Sequence, residues 1–145
     1  MSKAVRSVEH FLNGYACSQA ILVSYGPHYG LDEFDALRVS SGFAAGMRSG
    51  SVCGAVTGAY MVLGMHAADE DCDTGEGRAY VFGLVEAFND RFKKKNGVLA
   101  CRELLGCDIC QENGLRFAKD QGLFKTKCPQ LVRDAAEILE ELLSD

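Results

Sequence analysis

The stretch Cys128-Pro-Gln-Leu-Val-Arg-Asp-Ala-Ala-Glu-Ile-Leu-Glu-Glu-Leu142 reads as an amphipathic helix that opens on a thiol. Leu131, Ala135, Ile138 and Leu142 recur at helical spacing and give it one buried face. The pattern puts Pro129 at the first helical position, where no N–H is missed. Three other segments repeat the arrangement of a cysteine just ahead of a helix: Cys17-Ser-Gln-Ala-Ile-Leu-Val, Cys53-Gly-Ala-Val-Thr-Gly and Cys101-Arg-Glu-Leu-Leu-Gly. A helix N-terminus offers free N–H groups and a partial positive charge, and both favour thiolate over thiol. Four such cysteines in one small chain point to sulfur chemistry, either redox or metal binding.

Working outward from these segments, the chain reads as helix after helix. Val5, Val8, Phe11 and Leu12 open it at helical spacing. A second helix runs from near Cys17 to Tyr25 and stops at Gly26-Pro27. Asp32 suits the N-cap of a helix from Glu33 to Ser41. Residues 42–50, Gly-Phe-Ala-Ala-Gly-Met-Arg-Ser-Gly, read as a glycine-rich loop. The helix from Cys53 to Met65 carries Gly54, Ala55, Gly58 and Ala59, so another backbone can approach it closely, and it is expected to be central. After the acidic loop Asp69–Gly77, Thr74 caps the longest helix, which reaches about Lys95. Val81, Leu84, Val85, Phe88 and Phe92 form its stripe, and Gly97 suits the stop. A short helix follows Cys101. Residues 106–127 give no clear pattern. The expected fold is all-α: one compact helical domain over 1–145, with five to seven helices and no sheet of three or more strands.

The chain has 145 residues and 48% hydrophobic residues, enough for one real core. A net charge of −5 argues against a sequence-blind grip on nucleic acid, which needs a basic face. No apolar run approaches a bilayer span, and the start Met-Ser-Lys-Ala-Val-Arg has no hydrophobic signal region, so the expectation is a cytoplasmic protein. In a reducing cytosol, seven cysteines serve as metal ligands or redox groups more often than as structural bridges.

These segments, taken in order, resemble the family named for its cysteine pattern, C_GCAxxG_C_C, whose members are proposed to be redox-active. Asn13-Gly-Tyr-Ala-Cys17-Ser-Gln-Ala is similar to its first cysteine segment. Ser41-Gly-Phe-Ala-Ala-Gly-Met and Cys53-Gly-Ala-Val-Thr-Gly-Ala are similar to its glycine loop and central motif. Cys101-Arg-Glu-Leu-Leu-Gly and Lys127-Cys128-Pro-Gln-Leu-Val-Arg-Asp-Ala-Ala-Glu-Ile-Leu are similar to the third and fourth. The resemblance implies a small all-helical protein. Some relatives occur as domains of haem-containing electron carriers, but this chain has no Cys-x-x-Cys-His for covalent haem. It departs from the pattern by adding Cys72, Cys107 and Cys110.

Cys17, Cys53, Cys101 and Cys128 can meet if their helix N-termini converge. Four thiolates at one point repel unless a metal ion or protons neutralise them, and iron and zinc both accept four sulfurs. The alternative is a pair of thiols cycling with a disulfide. The blander reading is that these cysteines are small buried hydrophobes. Cys107-Asp-Ile-Cys110 has a spacing used in redox and metal sites, so both are additional candidate ligands. With Cys101 the run is C-x5-C-x2-C, one residue longer than the plant-type ferredoxin spacing. Cys72, among Asp69, Glu70, Asp71 and Asp73, reads as a bystander. That loop fails as a calcium loop, because Thr74 and Tyr80 stand where glycine and glutamate are needed. The 42–50 loop lacks the Gly-Lys-Ser/Thr ending of a phosphate loop. His66 reads as a helix-end residue.

The leading expectation is a redox or electron-transfer protein with the four cysteines holding an iron–sulfur cluster or another metal and serving a redox partner protein. A metal-free thiol–disulfide oxidoreductase and a structural zinc module are the alternatives. Apolar helix faces leave room for a homodimer. At least three of the four sulfurs are expected within reach of one ion or bridge. Cys53 is expected to be the most acidic thiol, with Arg48 as a cationic neighbour and Cys128 as its nearest rival.

Overall fold

A computed structural model describes residues 2–68 and 71–144. Eight α-helices occur among the described residues: α1 (Lys3–Leu12), α2 (Cys17–Tyr25), α3 (Glu33–Ser40), α4 (Gly54–Ala67), α5 (Gly75–Asn96), α6 (Cys101–Leu105), α7 (Glu112–Asp120) and α8 (Lys127–Leu143). The all-α expectation holds, with one helix more than the upper bound of seven. The addition is α7, amphipathic but only nine residues long, inside the stretch 106–127 that gave no pattern.

The helix ends follow the capping chemistry. The Asp32 carboxylate accepts from Asp35 N–H at 2.7 Å, and the Thr74 hydroxyl accepts from Gly77 N–H at 3.0 Å. Gly97, at φ 86°, closes α5 with its N–H on the Lys93 carbonyl. Helix α8 begins one residue earlier than its pattern suggested, at Lys127, so Pro129 is its third residue. The proline still breaks no helical hydrogen bond, because the first turn has no acceptor for it.

Helix α4 is the centre of the molecule. Gly54, Ala55, Val56, Thr57, Gly58, Ala59, Val62 and Leu63 are all buried. The small residues do what their size permits. A methyl group on Gly58 would stand 2.9 Å from the Ser18 carbonyl oxygen and 3.1 Å from Ile21 Cβ, so α2 lies directly on α4. Helix α8 packs against both α1 and α4, burying Leu131, Ala135, Ile138 and Leu142 as its periodicity required. Two side chains lock α2 to α3: the Ser18 hydroxyl donates to the Ser40 carbonyl at 2.8 Å, and Gln19 Nε2 donates to the Leu37 carbonyl at 3.0 Å.

Helix α5 buries Phe88 and Phe92, while Val81, Leu84 and Val85 are half-covered and Tyr80 and Phe82 face solvent. Its first half therefore projects past the core. In the acidic loop before it, Cys72 is exposed among Asp71 and Asp73, while Asp69 and Glu70 lie outside the described residues.

The loop at 42–50 is more ordered than glycine content implied. After a 3-10 turn over 41–43, Ala45, Gly46, Met47 and Arg48 are left-handed in succession, at φ 55°, 63°, 60° and 59°. Only one of the four is glycine. Left-handed backbone costs an ordinary residue roughly 1–2 kcal/mol. The turn is closed by the Ser51 N–H on the Gly46 carbonyl at 3.0 Å. Just beyond it, the chain at Val52 pairs with Ala100 in a single antiparallel bridge, with Cys53 N–H on the Leu99 carbonyl at 2.8 Å. Cys101 N–H closes the other side on the Ser51 carbonyl.

Candidate functional site

Each of the four motif cysteines stands at a helix start. Cys17 is the first residue of α2, Cys53 is the N-cap of α4, Cys101 is the first residue of α6 and Cys128 is the second of α8. The bridge between Val52 and Ala100 sets Cys53 and Cys101 side by side, although 47 residues lie between them in the chain. All four line one cavity of about 170 Å³. Its remaining wall is apolar: Phe11, Leu105, Ile109, Phe124 and Leu131, with Ala16, Ala44 and Ala45. The four helix starts thus open on one cavity, but no three of the four sulfurs are close enough to share one ion, contrary to the expectation. All seven cysteines are free thiols.

Two of the four thiols act as a pair: Cys53, as side-chain partner, is the first cause that holds the Cys17 thiol down to about 7. Burial opposes the shift, but the backbone N–H groups of Ala45, Ser18 and Cys17 itself add to it. Cys53 goes the other way. Its proton is held by Cys17, it is buried and it faces the Cys17 charge, so its thiol is pushed well above the ordinary value, with the Ala55 N–H opposing. The two share one proton and titrate as a unit.

This reverses the expectation that Cys53 is the most acidic thiol. Cys53 does sit at a helix start, but it is the donor of the pair. Arg48, at the exposed tip of the left-handed turn, has no part in its shift. The helix-start argument holds better for Cys17, which has three backbone N–H groups on its sulfur.

Cys101 and Cys128 are both pushed up to about 12. Burial is the first cause in each, followed by the Cys17 charge. Cys110, Asp108 and Cys107 add to the effect at Cys101, and Cys101 and Cys107 add to it at Cys128, where Lys127 opposes. Cavity burial thus keeps these two protonated while Cys17 ionises. Among the described residues no three His, Cys, Asp or Glu side chains are gathered closely enough to hold one metal ion.

Cys107 and Cys110 flank a tight turn at the edge of this group, both partly exposed. The Asp108 carboxylate accepts from Cys110 N–H at 3.0 Å, and its carbonyl accepts from Gln111 N–H at 3.1 Å. The Cys110 thiol donates to the Ala45 carbonyl at 3.5 Å. His66, in the last turn of α4, is partnered with the Tyr29 hydroxyl at 3.0 Å, away from the sulfurs.

The sequence left two parts of the site unseen. The Ala45 N–H reaches Cys17 only because the turn at 45–48 is left-handed, and nothing in Ala-Ala-Gly-Met-Arg announces that. Phe11 and Phe124, which wall the cavity, come from segments that carry no cysteine motif, and Ile109 reaches it from inside the Cys107–Cys110 segment.

The model of the family described as putative redox-active protein (C_GCAxxG_C_C) matches residues 15–142. The chain belongs to this family. In the C_GCAxxG_C_C protein described here, the matched span covers every element of the cavity except Phe11 on α1. No curated protein and no solved structure is matched by the chain. Among the described residues of this family member, no helix is long and apolar enough to cross a membrane.

Proposed function

We propose that this protein is a thiol–disulfide redox protein in which Cys17 is the attacking thiolate and Cys53 its resolving partner. The observation that carries the reading is the shared cavity of Cys17 and Cys53, where pairing with Cys53 lowers the Cys17 thiol to about 7. A thiol with a pKa near ambient pH is close to optimal for attack, because it is substantially ionised yet keeps its nucleophilicity. The Cys17 thiolate attacks one sulfur of a substrate disulfide, forming a mixed disulfide and releasing the other sulfur as thiolate, which takes up a proton. Cys53 then gives up its proton and attacks Cys17 Sγ. The Cys17–Cys53 disulfide forms and the second substrate thiolate leaves. The substrate is reduced by two electrons and the dithiol is oxidised by two.

In this reading Cys101 and Cys128 do not take part in the exchange. Cys101 and Cys128 stay protonated at neutral pH, so their charge does not compete with that of Cys17. The test is oxidation of the reduced protein by hydrogen peroxide, followed by peptide mapping. The expected product is one Cys17–Cys53 disulfide. Recovery of Cys17 paired elsewhere, or of all four as thiols, would sink the reading.

A second reading has one observation in its favour: all four motif sulfurs line one cavity. In that case Cys17, Cys53, Cys101 and Cys128 would hold an iron–sulfur cluster or zinc, with Cys107 and Cys110 as further ligands. The donor chemistry fits, since four thiols suit either group. The sulfurs would have to draw together from the separation seen here. Anaerobic purification with an absorbance spectrum and elemental analysis decides between the two.

A further inference from the structure

Outside the inner pair, the chain carries two further thiols in one short segment, Cys107-Asp-Ile-Cys110, at the turn after α6, which is pinned by the two hydrogen bonds to Asp108. This turn is packed against the left-handed segment at two points. The Cys110 thiol meets the Ala45 carbonyl, and Asp108 Oδ1 lies 3.2 Å from where a Cβ on Gly50 would stand. On its far side, the Asp108 carbonyl lies so close to Gly114 that no side chain fits there. The turn is therefore wedged in a fixed place rather than hanging free.

Ala45 joins the two pairs. Its N–H faces the Cys17 sulfur and its carbonyl accepts from Cys110. The inner pair, meanwhile, sits in a cavity walled by Phe11, Leu105, Ile109, Phe124 and Leu131. Such a wall excludes a charged or peptide-borne disulfide, since stripping water from its polar groups would go uncompensated. Cys107 and Cys110 are partly exposed and are not among the residues that line the cavity, although burial and then Asp108 push the Cys107 thiol up.

We propose that Cys107 and Cys110 form an outer dithiol that exchanges disulfide with Cys17 and Cys53 and is their port to polar, disulfide-bearing substrates. The inference rests on the reading of Cys17 and Cys53 as a redox pair. Cys107 gives up its proton and attacks an external disulfide, and the departing sulfur takes up a proton as one substrate thiol. Cys110 then attacks Cys107 Sγ, releasing the second substrate thiol and leaving a Cys107–Cys110 disulfide. The Cys17 thiolate next attacks Cys110 Sγ, and Cys107 departs as thiolate and takes up a proton. Cys53 loses its proton and attacks Cys17 Sγ, and Cys110 leaves and is protonated in turn. Two electrons have passed from the inner dithiol to the external disulfide, and the outer dithiol is regenerated. For Cys17 to reach Cys110, Ala45 must swing aside, and its strained left-handed backbone favours that movement.

The test uses the reduced full chain and glutathione disulfide, a charged probe, with acid quenching and peptide mapping over time. The Cys107–Cys110 disulfide should rise first and decay as Cys17–Cys53 accumulates. In Cys53→Ala, where the last step is blocked, a Cys17–Cys110 disulfide should be the main product. Formation of Cys17–Cys53 with no earlier Cys107–Cys110, or glutathione attached directly to Cys17, overturns the relay. A parallel arm with hydrogen peroxide, small enough to enter the cavity, separates the two ideas. If peroxide yields Cys17–Cys53 and glutathione disulfide yields it without the outer intermediate, only the relay is wrong. If neither oxidant yields Cys17–Cys53, the inner pair and the relay fail together. The wild-type time course stands whether or not the variant folds.

Discussion

Cys17 and Cys53 face one cavity from the starts of two helices, and their pairing lowers the Cys17 thiol and raises that of Cys53, while burial raises Cys101 and Cys128 beside them. Alkylation tracked site by site across a pH series should therefore show Cys17 with a midpoint near 7. Cys53, Cys101 and Cys128 should stay unreactive until well above an ordinary thiol midpoint of about 8.5. Cys53→Ala removes the donor and should move the Cys17 midpoint up by about one unit or more. Cys53→Ser keeps a hydroxyl donor and should move it less. An unchanged Cys17 midpoint in Cys53→Ala would show that the backbone N–H groups alone carry the shift.

Stability should pass through a maximum near pH 9, the ordinary thiol value from which Cys17 is lowered and the other three are raised. Cys17 has a lowered pKa, so between about 7 and 9 the unfolded chain binds a proton there that the native state has released. Stability then rises with pH through that window and is lost as pH falls through 7. Cys53, Cys101 and Cys128 are raised, so above about 9 the unfolded chain loses protons that the native state keeps. Stability falls there, and the buried Tyr25, also raised, adds to the fall at still higher pH. Thermal unfolding of the reduced protein from pH 5 to 11 measures both limbs. A curve still climbing at pH 10.5 contradicts the assigned burial of the three thiols.

Glycines on α4 should divide by position. A side chain on Gly54 would run into Cys17 Sγ, with Ala44 Cα at 3.1 Å behind it. Gly54→Ala should cost about 1–3 kcal/mol and disturb the Cys17 midpoint. Gly64, further along the same helix, faces open space. Gly64→Ala should stabilise by about 0.5–1 kcal/mol, the ordinary helix-interior gain. Urea unfolding of the two variants gives both numbers. Equal effects would mean that α2 and α4 are not in the contact described.

Relief of the left-handed turn is a fourth test. Arg48→Gly removes an exposed residue at φ 59° and should raise stability, by about 1 kcal/mol at most once the added freedom of the unfolded chain is counted. It should leave the Cys17 midpoint where it was, because Arg48 contributes nothing to that shift. A rise in the midpoint would restore the arginine to the site.

The helices were largely legible because their signals are local. The stripe Leu131, Ala135, Ile138, Leu142 and the caps at Asp32 and Thr74 each lie within a few residues of what they determine. The cysteines were legible as a group for the same reason, since each precedes its own helix. Which cysteine ionises was not legible. That depends on Cys17 and Cys53 meeting from different helices and on Ala45 adopting a conformation that its own side chain disfavours. The Cys53–Cys101 neighbourhood was equally hidden, because one bridge between Val52 and Ala100 has no periodicity to betray it. Helix α7 was missed because its N-cap, Gln111, makes no side-chain cap hydrogen bond, so no start signal marks it.

That bridge makes the span between its ends, with α4 and α5, an excursion fastened at its root. The sulfurs sit at its base, and the half of α5 carrying Tyr80 and Phe82 forms part of its outer reach. Lengthening or rebuilding that outer reach leaves the base as it was. A chain nicked at the exposed Asp73 would keep both fragments seated, since α4 and α5 are each held by α8. That outer reach is thus free to diversify in sequence and length while α4 and the thiols at the root stay constant.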